Sequence, residues 1–389
     1  MIRITDKTRC CGCTACVSSC PVQCISMEAD EEGFDYPVVD FSVCIGCGRC
    51  EDVCPMLNAP ASSAGTESYA VRNRSRLEVA SSGGVFPTLA DSVIGNGGLV
   101  AGASFDENLS IRHILVGEEK HLQNLFGSKY VQSDMGDIYA RVAEALTGGR
   151  EVLFSGTPCQ VAGLRNYLGK EYKGLITLDV ACHGVPSPAL WRMNLADIAA
   201  EEKSDVVSVC FRDKSGSWKD YDVVYGTRCG KYRKIRHSED LYMLLFLQNV
   251  SLRPSCYRCD FRSCGSCSDL TLGDLWNVRR VSPSMNDDRG ASLVMVRSKK
   301  GRRIFEEVLG SDETIESQEV DHKEAISGNS GFMTEYDVPA GRADFFAGLG
   351  NADDLREYMR RYVTVKPWTE KIYSGLHSFL SAMKRRITR

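Results

Sequence analysis

The sequence lacks the features that mark secreted and membrane-spanning proteins. No apolar run approaches the roughly 20 residues that a transmembrane helix needs. Residues 1–7 contain no apolar segment of the kind found in signal peptides. The formal net charge is only −4 over 389 residues, so the charge balance favours neither nucleic acid nor an acidic surface as a partner. We therefore expect a cytoplasmic protein with no nucleic-acid partner.

A nicotinamide-binding fingerprint is also missing. No Gly-x-Gly-x-x-Gly motif follows a predicted strand, so the sequence does not support the dinucleotide fold built around that turn. Hydrophobic residues make up 43% of the chain, which is enough to bury substantial cores without disulfides. The length predicts several units. We expect a multidomain protein that combines α+β and α/β architecture.

Cysteine, by contrast, is abundant, with 18 residues. Without a secretory segment, reduced thiols that hold metal explain this number better than a disulfide framework. Two runs near the start of the sequence have the same spacing, C-x2-C-x2-C-x3-C-P, which in bacterial ferredoxins binds [4Fe–4S] clusters. The first run is Cys10, Cys13, Cys16, Cys20 and Pro21, and the second is Cys44, Cys47, Cys50, Cys54 and Pro55.

The fourth cysteine of each run serves the other cluster in two-cluster ferredoxins. We therefore assign the eight cysteines crosswise: Cys10, Cys13, Cys16 and Cys54 to a first cluster, and Cys44, Cys47, Cys50 and Cys20 to a second. A pair of zinc knuckles is the alternative, but zinc sites usually have two separated cysteine pairs rather than four closely set cysteines before a proline. Cys11 and Cys24 are left over, and Cys24 is interpreted as a buried small residue under the second cluster.

An α/β unit is predicted over residues 151–182. Residues 151–154 form a buried strand, 155–160 a tight loop, 161–168 a helix and 175–180 a second strand. Cys159 and Cys182 then follow neighbouring strands at their carboxyl ends, where open α/β sheets bind ligands. His183 lies beside Cys182 and is a candidate proton donor, with a structural role as the alternative.

A further group of cysteines follows, with the spacing C-x2-C-x4-C-x2-C. One interpretation is a local metal site of Cys256, Cys259, Cys264 and Cys267, although its central gap is short for a zinc ribbon. The other interpretation combines Cys256 and Cys259 with Cys159 and Cys182 around a third [4Fe–4S] cluster.

Two other stretches are candidates for binding an anionic cofactor. Residues 81–86, Ser-Ser-Gly-Gly-Val-Phe, form a loop that opens a predicted helix, and a helix start offers free N–H groups to a phosphate. Lys129 lies among small polar residues in 127–133. For residues 81–86 the alternative is an ordinary turn, and for Lys129 it is a solvated surface lysine.

The order of five motifs resembles the beta-subunit family of coenzyme F420 hydrogenases and dehydrogenases, in the bacterial branch with a fused two-cluster ferredoxin. The similarity covers roughly residues 5–330. The motifs are Ser82-Gly83-Gly84, Gly127-Ser128-Lys129-Tyr130, Gly156-Thr157-Pro158-Cys159-Gln160, Cys182-His183-Gly184, and Cys256-x2-Cys259 with Asp269, Asp274 and Trp276.

This resemblance implies a flavin, FAD, and a third [4Fe–4S] cluster beside it. The flavin site would include Ser82, Gly83, Gly84, Lys129, Gly156 and Thr157, and the third cluster would use Cys159, Cys182, Cys256 and Cys259. Cys264 and Cys267 depart from the family pattern, so either one remains an alternative ligand to Cys159 or Cys182.

The domains expected from these motifs are a two-cluster ferredoxin domain (1–58), a linker (59–67), the family's N-terminal domain (68–148), its C-terminal domain with the third cluster (149–330) and a C-terminal helical extension (331–389). The stretch from Trp368 has apolar residues at helical spacing and a basic end. Packing on protein is the favoured interpretation over contact with a membrane surface.

The expected function is an iron–sulfur flavoprotein oxidoreductase. It would pass electrons between a ferredoxin, or another redox protein, and a small-molecule substrate at the flavin. The deazaflavin coenzyme and a sugar or another small metabolite are alternative substrates. A non-catalytic electron-transfer subunit of a larger complex is the alternative function, although about 270 residues beyond the ferredoxin domain exceed what a relay requires.

Overall fold

The computed structural model describes residues 1–63, 65, 67–262, 265–309 and 314–364. The first 58 residues form a small module around the antiparallel hairpin of β1 (Ile25–Ala29) and β2 (Asp35–Val39). One short helix belongs to each cysteine run: α1 (Ala15–Ser18) and α2 (Arg49–Asp52). Each begins after a residue in the left-handed conformation, Thr14 and Gly48, which gives the module its internal symmetry.

The rest of the chain, here called the body, alternates strands and helices. In chain order these are β3 (Glu67–Asn73), α3 (Val85–Gly95), β4 (Leu99–Phe105), β5 (Ile111–Val116), α4 (Ile138–Thr147), β6 (Val152–Gly156), α5 (Pro158–Leu168), β7 (Leu175–Val180), α6 (Pro188–Glu202), β8 (Val206–Asp213), β9 (Asp222–Thr227), β10 (Tyr232–Arg236), α7 (Leu241–Leu247), β11 (Leu270–Asp274), α8 (Val278–Val281), β12 (Ser292–Val296), α9 (Lys299–Leu309), β13 (Ile315–Val320), α10 (His322–Ile326), α11 (Arg342–Leu349) and α12 (Leu355–Arg360).

A mixed sheet is the centre of the body. Its strand order within the described residues is β13-β3-β12-β11-β7-β6-β4-β5. The four middle strands, β11, β7, β6 and β4, run parallel to one another, and antiparallel strands complete both sides. The carboxyl ends of the parallel strands therefore meet at one edge. This architecture confirms the predicted combination of a ferredoxin-type module with an α/β body.

Both faces of this sheet are covered. Side chains alternate along β6, so Leu153 packs with Leu89 of α3 and Phe305 of α9, whereas Val152 and Phe154 pack with α4 and α5 on the opposite face. A second, three-stranded antiparallel sheet (β10-β9-β8) packs with α6, α7, α11 and α12 in a separate aromatic core.

Helix α5 begins earlier than the sequence predicted. Thr157 and Gln160 form a capping box, in which the Gln160 Oε1 accepts from the Thr157 N–H at 2.8 Å, and Pro158 fills the first helical position. The expected loop over 155–160 therefore closes at Thr157. As a result, Cys159 lies in the first turn of the helix, where the positive end of the helix dipole stabilises a thiolate.

The module packs closely on α4 and α5 of the body. Cys13 and Ala15 share a core with Tyr139 and Phe154. Gly163 of α5 makes this possible, because a Cβ there would lie 3.1 Å from the Cys13 Sγ. The module and the body are therefore joined through a packed interface.

The chain between module and body also lies against the body. The Ser63 N–H donates to the Ser266 carbonyl at 2.8 Å, and the Ser63 hydroxyl donates to the Ser268 carbonyl at 2.9 Å. The Gly65 N–H donates to the Arg297 carbonyl at 3.2 Å. Ser63 and Gly65 are therefore both held against the body.

Within the described residues, every helix is too short or too polar to cross a bilayer. The stretch from Trp368 that the sequence predicts to be helical lies outside the described residues.

Candidate redox site

Each cysteine set of the module surrounds its own cavity. Cys10, Cys13, Cys16 and Cys54 line one cavity together with Ile4 and Met56, and Cys20, Cys44, Cys47 and Cys50 line another together with Val22 and Ile45. The crosswise assignment therefore matches the way the chain brings the thiols together. The thiols and the apolar walls fit [4Fe–4S] clusters, which are held by cysteine thiolates.

A third cavity lies between the module and the body. The candidate ligands of the third cluster, Cys159, Cys182, Cys256 and Cys259, all line it. Cys159 comes from the first turn of α5 and Cys182 from the end of β7, and the other two lie on the loop before β11. Within the described residues, no three acidic, histidine or cysteine side chains converge as tightly as a single metal ion requires. The four thiols line one cavity, as the ligands of a [4Fe–4S] cluster held by cysteine thiolates would.

The two alternative cysteines give different outcomes. Cys264 lies outside the described residues. Cys267 is 3% exposed and packs in the core with Phe154 and Phe261, where burial raises the pKa of its thiol to about 12. Its neighbours Ser266 and Ser268 are tied to the buried network around Asp179, with 2.6 Å between the Ser266 Oγ and the Asp179 Oδ2. This position holds Cys267 in the core.

Burial dominates the chemistry of the third set of thiols. For Cys182 and Cys256, burial is the main cause of a raised pKa. For Cys159, the contact with Cys11 is the main cause of the raised pKa and burial is the second. For Cys259 burial raises the pKa to about 12. The nearby Arg262 guanidinium lowers the pKa of Cys182, Cys256 and Cys259 against this trend. Without metal these thiols are protonated, so metal binding must displace their protons.

A larger cavity of about 370 Å³ lies on the other side of Cys182. This volume falls within the range of small-molecule and cofactor pockets. Thr157, Gln160, Cys182 and Val185 line both this cavity and the third cysteine cavity. The two cavities are therefore neighbours that share a wall.

Most of the predicted cofactor residues line the large cavity, namely Ser82, Gly84, Lys129, Gly156 and Thr157. Gly83 instead packs behind the wall: its N–H donates to the Ser292 hydroxyl at 2.9 Å, and a Cβ there would lie 2.4 Å from the Val71 carbonyl oxygen. Gly84 has a φ of +87° and precedes α3, whose N-terminus opens towards the cavity.

Two partly buried lysines lie near this cavity: Lys129 lines it, and Lys214 lies behind Ser82, which lines it. The Lys129 ammonium donates to the carbonyls of Phe126 and Gly127 at 3.0 and 3.2 Å, and burial lowers its pKa to about 8. Lys214 donates to the carbonyl of Ser82 at 2.8 Å, and burial followed by the nearby Arg212 lowers its pKa to about 8. Among the described residues, neither ammonium lies within 4 Å of a carboxylate oxygen. An anionic ligand would therefore find two cations without acidic partners.

The far side of the cavity is aromatic. Arg212 is 6% exposed, forms an ion pair with Asp274 and stacks over the rings of Tyr221 and Trp276. Trp276 in turn stacks on Trp218 with ring centroids 5.1 Å apart. This arrangement offers flat surfaces to a planar ligand.

His183 lies at the junction of the two cavities. It lines the large cavity next to Cys182, and its Nδ1 lies 2.9 Å from the Ser330 hydroxyl and 3.3 Å from the Tyr336 hydroxyl. Burial, followed by Arg262, lowers the pKa of His183 to about 4. The imidazole is therefore neutral near pH 7, with Nδ1 held by two hydroxyl groups.

The sequence did not reveal the role of Cys11, which lines the third cavity beside Cys159. The contact with Cys13 raises the pKa of Cys11 and the contact with Cys159 lowers it. The contact with Cys13 is the larger effect, so the pKa of Cys11 is raised. Cys11 therefore stands between a ligand candidate of the first cluster and one of the third. A thiol directly after the first cysteine of a ferredoxin run was the one available signal.

Comparisons with known proteins give two matches to family models and one similar solved structure. Residues 149–323 match the family model for the C terminus of the coenzyme F420 hydrogenase/dehydrogenase beta subunit, and residues 9–58 match the 4Fe-4S dicluster domain. A solved structure of the F420-reducing [NiFe] hydrogenase complex from Methanosarcina barkeri, from a xenon derivatization, is similar at 16% identity and a TM-score of 0.45. The match covers 77% of this chain and 91% of that chain. No curated protein matches.

Proposed function

Because the chain belongs to the coenzyme F420 hydrogenase/dehydrogenase beta-subunit family with a fused 4Fe-4S dicluster domain, and is thus an iron–sulfur oxidoreductase, we propose that it is a flavoprotein. It exchanges electrons between a ferredoxin-type carrier and a small-molecule substrate bound at FAD. The observation that carries this proposal is the row of four adjoining cavities: three are lined by four candidate thiols each, and the last is large enough for a cofactor.

The row has an order. The second cysteine set lies at the exposed end of the module, and the first set lies against the body. Cys11 and Cys159 then connect the first set to the third, and Cys182 borders both the third cavity and the large one. A carrier that docks at the module would therefore be linked to a substrate in the large cavity.

FAD, when bound, supplies a group that accepts a hydride and releases electrons one at a time, which matches two-electron substrates to one-electron clusters. The residues of this chain bind and orient it. Lys129 and Lys214 supply positive charge for a pyrophosphate, together with the N-terminus of α3. The surfaces around Trp276 and Tyr221 suit a planar ring.

His183 serves as a hydrogen-bonding group beside the substrate. Because burial lowers the pKa of His183 to about 4, its ring is neutral near pH 7, so it takes part as the neutral imidazole and not as the cationic form of a proton donor. Ser330 and Tyr336 hold the ring in place at Nδ1. The proposal therefore gives His183 a catalytic role in which its charge at rest is zero.

The first test is cofactor content after anaerobic reconstitution with iron, sulfide and FAD. Three clusters require about twelve iron and twelve sulfide per chain, since each holds four of each. We expect these values together with the absorbance of one bound flavin. Clusters without flavin would contradict the flavoprotein and support an electron-transfer subunit whose active site lies on another chain.

The second test identifies the substrate. A reduced low-potential ferredoxin is mixed anaerobically with candidate oxidants, including the deazaflavin coenzyme and small metabolites, and its reoxidation is followed optically.

Lys129→Ala and Lys214→Ala should lose FAD while retaining iron. Lys219→Ala, which changes an exposed lysine that contacts Asn286, serves as the matched control and should retain both.

A further inference from the structure

A completely buried arginine lies between the first and third cysteine sets. Arg253 has 0% exposure, and its guanidinium stacks on the Tyr36 ring at 4.2 Å. Its position is built from both sides of the interface, because Tyr36 belongs to the module and Arg253 to the body. Burying such a charge is costly unless a nearby group compensates it.

The guanidinium is bonded mainly to neutral oxygens. Nε donates to the Cys10 carbonyl at 2.8 Å, Nη1 donates to the Gln132 Oε1 at 3.0 Å, and Nη2 donates to the Asp35 carbonyl at 2.9 Å. Nη2 also lies 3.5 Å from the Cys10 Sγ. These four contacts fix the orientation of the side chain and direct one N–H group at a candidate ligand of the first cluster.

The same residue is tied to the third set. The Arg253 carbonyl accepts a hydrogen bond from the Cys256 N–H at 2.8 Å. Its Nη1 also bonds to Gln132, which lines the third cavity together with Cys159 and Cys256. The guanidinium therefore lies beside a thiol of the first cavity and directly behind the lining of the third.

No carboxylate neutralises this charge. Within the described residues, no Asp or Glu oxygen lies within 4 Å of the Arg253 guanidinium, and the Asp35 side chain contributes only at longer range. Two other buried arginines differ: Arg72 pairs with Asp287 at 2.7 Å, and Arg342 pairs with Glu32. The sulfur ligands are thus the nearest groups available to carry the compensating negative charge.

We propose that Arg253 is the shared counter-charge of the first and third clusters and sets the reduction potentials of both. This inference rests on the proposed function, which places the third cluster at Cys159, Cys182, Cys256 and Cys259. Each cluster gains one negative charge when it takes up one electron. A fixed positive charge in a dry interface stabilises that reduced form and raises the potential, which is one of the means by which proteins tune clusters.

The second cluster has no such arrangement among the residues that the structure describes. Two cations lie beside it, Arg49 and the Met1 ammonium; both are exposed to solvent, and the ammonium is paired with Glu51 at 2.7 Å. Water screens both charges, and Glu51 opposes that of the ammonium. Loss of Arg253 should therefore change two potentials and leave that of the second cluster unchanged.

The test is an anaerobic redox titration followed by electron paramagnetic resonance, with dithionite as the electron source. Arg253→Met removes the charge and keeps the volume, Arg253→Lys keeps the charge and loses the planar hydrogen bonds, and Arg72→Met is the matched loss of a buried arginine elsewhere. The third cluster's signal is assigned by its disappearance in Cys159→Ala.

We expect Arg253→Met to lower the midpoint potentials of the first and third clusters by at least 59 mV each, a tenfold change in a one-electron equilibrium, with a smaller shift in Arg253→Lys. Arg72→Met should shift none. If Arg253→Met fails to retain the two inner clusters while the second stays, the counter-charge role is also supported.

Unchanged potentials in both Arg253 variants would overturn the proposal, as would equal shifts of all three signals. If Arg253→Met does not fold, Arg253→Gln, which also removes the charge, takes its place. Should the wild-type protein hold only about eight iron, the third cluster fails, but the first cluster's shift still tests Arg253.

Discussion

The two cysteine runs have the same spacing but lie in opposite surroundings. Gly12 and Gly46 occupy equivalent positions with φ values of +70° and +68°. A Cβ on Gly12 would lie 2.3 Å from the Gln132 Nε2 and 2.9 Å from the Arg253 Nη1, whereas a Cβ on Gly46 would have nothing within 4 Å. The same backbone is enclosed in one run and open in the other.

The next equivalent pair shows the same contrast. Cys11 faces the third cavity at the interface, and its counterpart Ile45 is 64% exposed. Phe41 and Val43 beside it are 62% and 47% exposed. The motif predicts which thiols bind iron, and the packing determines whether each cysteine set faces the body or solvent. This difference makes the first cysteine set the inner one and the second set the outer one.

The largest expected effect separates the inner and outer links. Cys182→Ala should remove one cluster, lowering iron from about twelve to about eight per chain, and should prevent dithionite-reduced clusters from reducing the flavin. Cys47→Ala should lower the iron content by the same amount, but dithionite should still reduce the flavin. Iron analysis and stopped-flow absorbance measure both.

Cys267→Ala is the control, because Cys267 packs in the core rather than at the cavity. It should keep about twelve iron. A drop to about eight in this variant would instead assign Cys267 as a ligand.

A second contrast concerns stability. Gly12→Ala and Gly46→Ala share the cost of a side chain at positive φ, about 1–2 kcal/mol. Gly12→Ala also meets Gln132 and Arg253, and overpacking of this kind costs about 1–3 kcal/mol more. We expect its unfolding midpoint in urea to fall further than that of Gly46→Ala. Equal midpoints would mean that the two runs are equally free.

A third contrast concerns the carrier. Phe41→Ala removes an exposed ring beside the outer cluster, and we expect it to raise the KM for a protein carrier about fivefold, which corresponds to about 1 kcal/mol. Reduction by dithionite should not change. Val338→Ala changes an exposed apolar residue of the body and should leave this KM unaltered. A carrier KM that responds only to Val338→Ala would place the docking site on the body.

The smallest effect is the response to acid. The five histidines among the described residues all lie in the body, and burial lowers the pKa of His113 to about 4 from its ordinary 6.5. The unfolded chain takes up this proton below pH 6.5 and the folded chain does not, so stability falls as pH drops from 6.5 towards 4. At pH 5.5 the loss from His113 is about 1 kcal/mol.

Tryptophan emission measures this loss, since the three tryptophans among the described residues, Trp191, Trp218 and Trp276, also lie in the body. His113→Gln should weaken the pH dependence of the emission midpoint and leave part of it, because burial also lowers the pKa of His183 to about 4. A midpoint that does not change between pH 7.5 and 5.5 in the wild type would contradict the assignment of a buried neutral histidine.

Local patterns were enough to predict much of the fold. The strand–loop–helix unit from residue 151, the helix that opens after Gly84 and the helix from Ile138 all follow from short-range periodicity and turn residues. The start of α5 was missed by three residues, because the capping box of Thr157 and Gln160 continues the helix through a stretch that reads as a loop.

The site was predictable where ligands repeat and not where they come from distant segments. Spacing alone indicated the eight cysteines of the module. Arg253, by contrast, acts on Cys10 from 243 positions away, and nothing near it in the sequence indicates a buried charge. Such a contact depends on how the module packs on the body, which no local pattern encodes.

The connection at Ser63 and Gly65 has a consequence for how fast electrons can move. Because this segment is hydrogen-bonded to the body and the module packs on α5, the module is not a swinging arm on a tether. We therefore expect electron transfer between the inner clusters to be tunnelling over a fixed gap that needs no domain motion. Viscosity, which slows swinging domains, should therefore leave the internal rate unaltered.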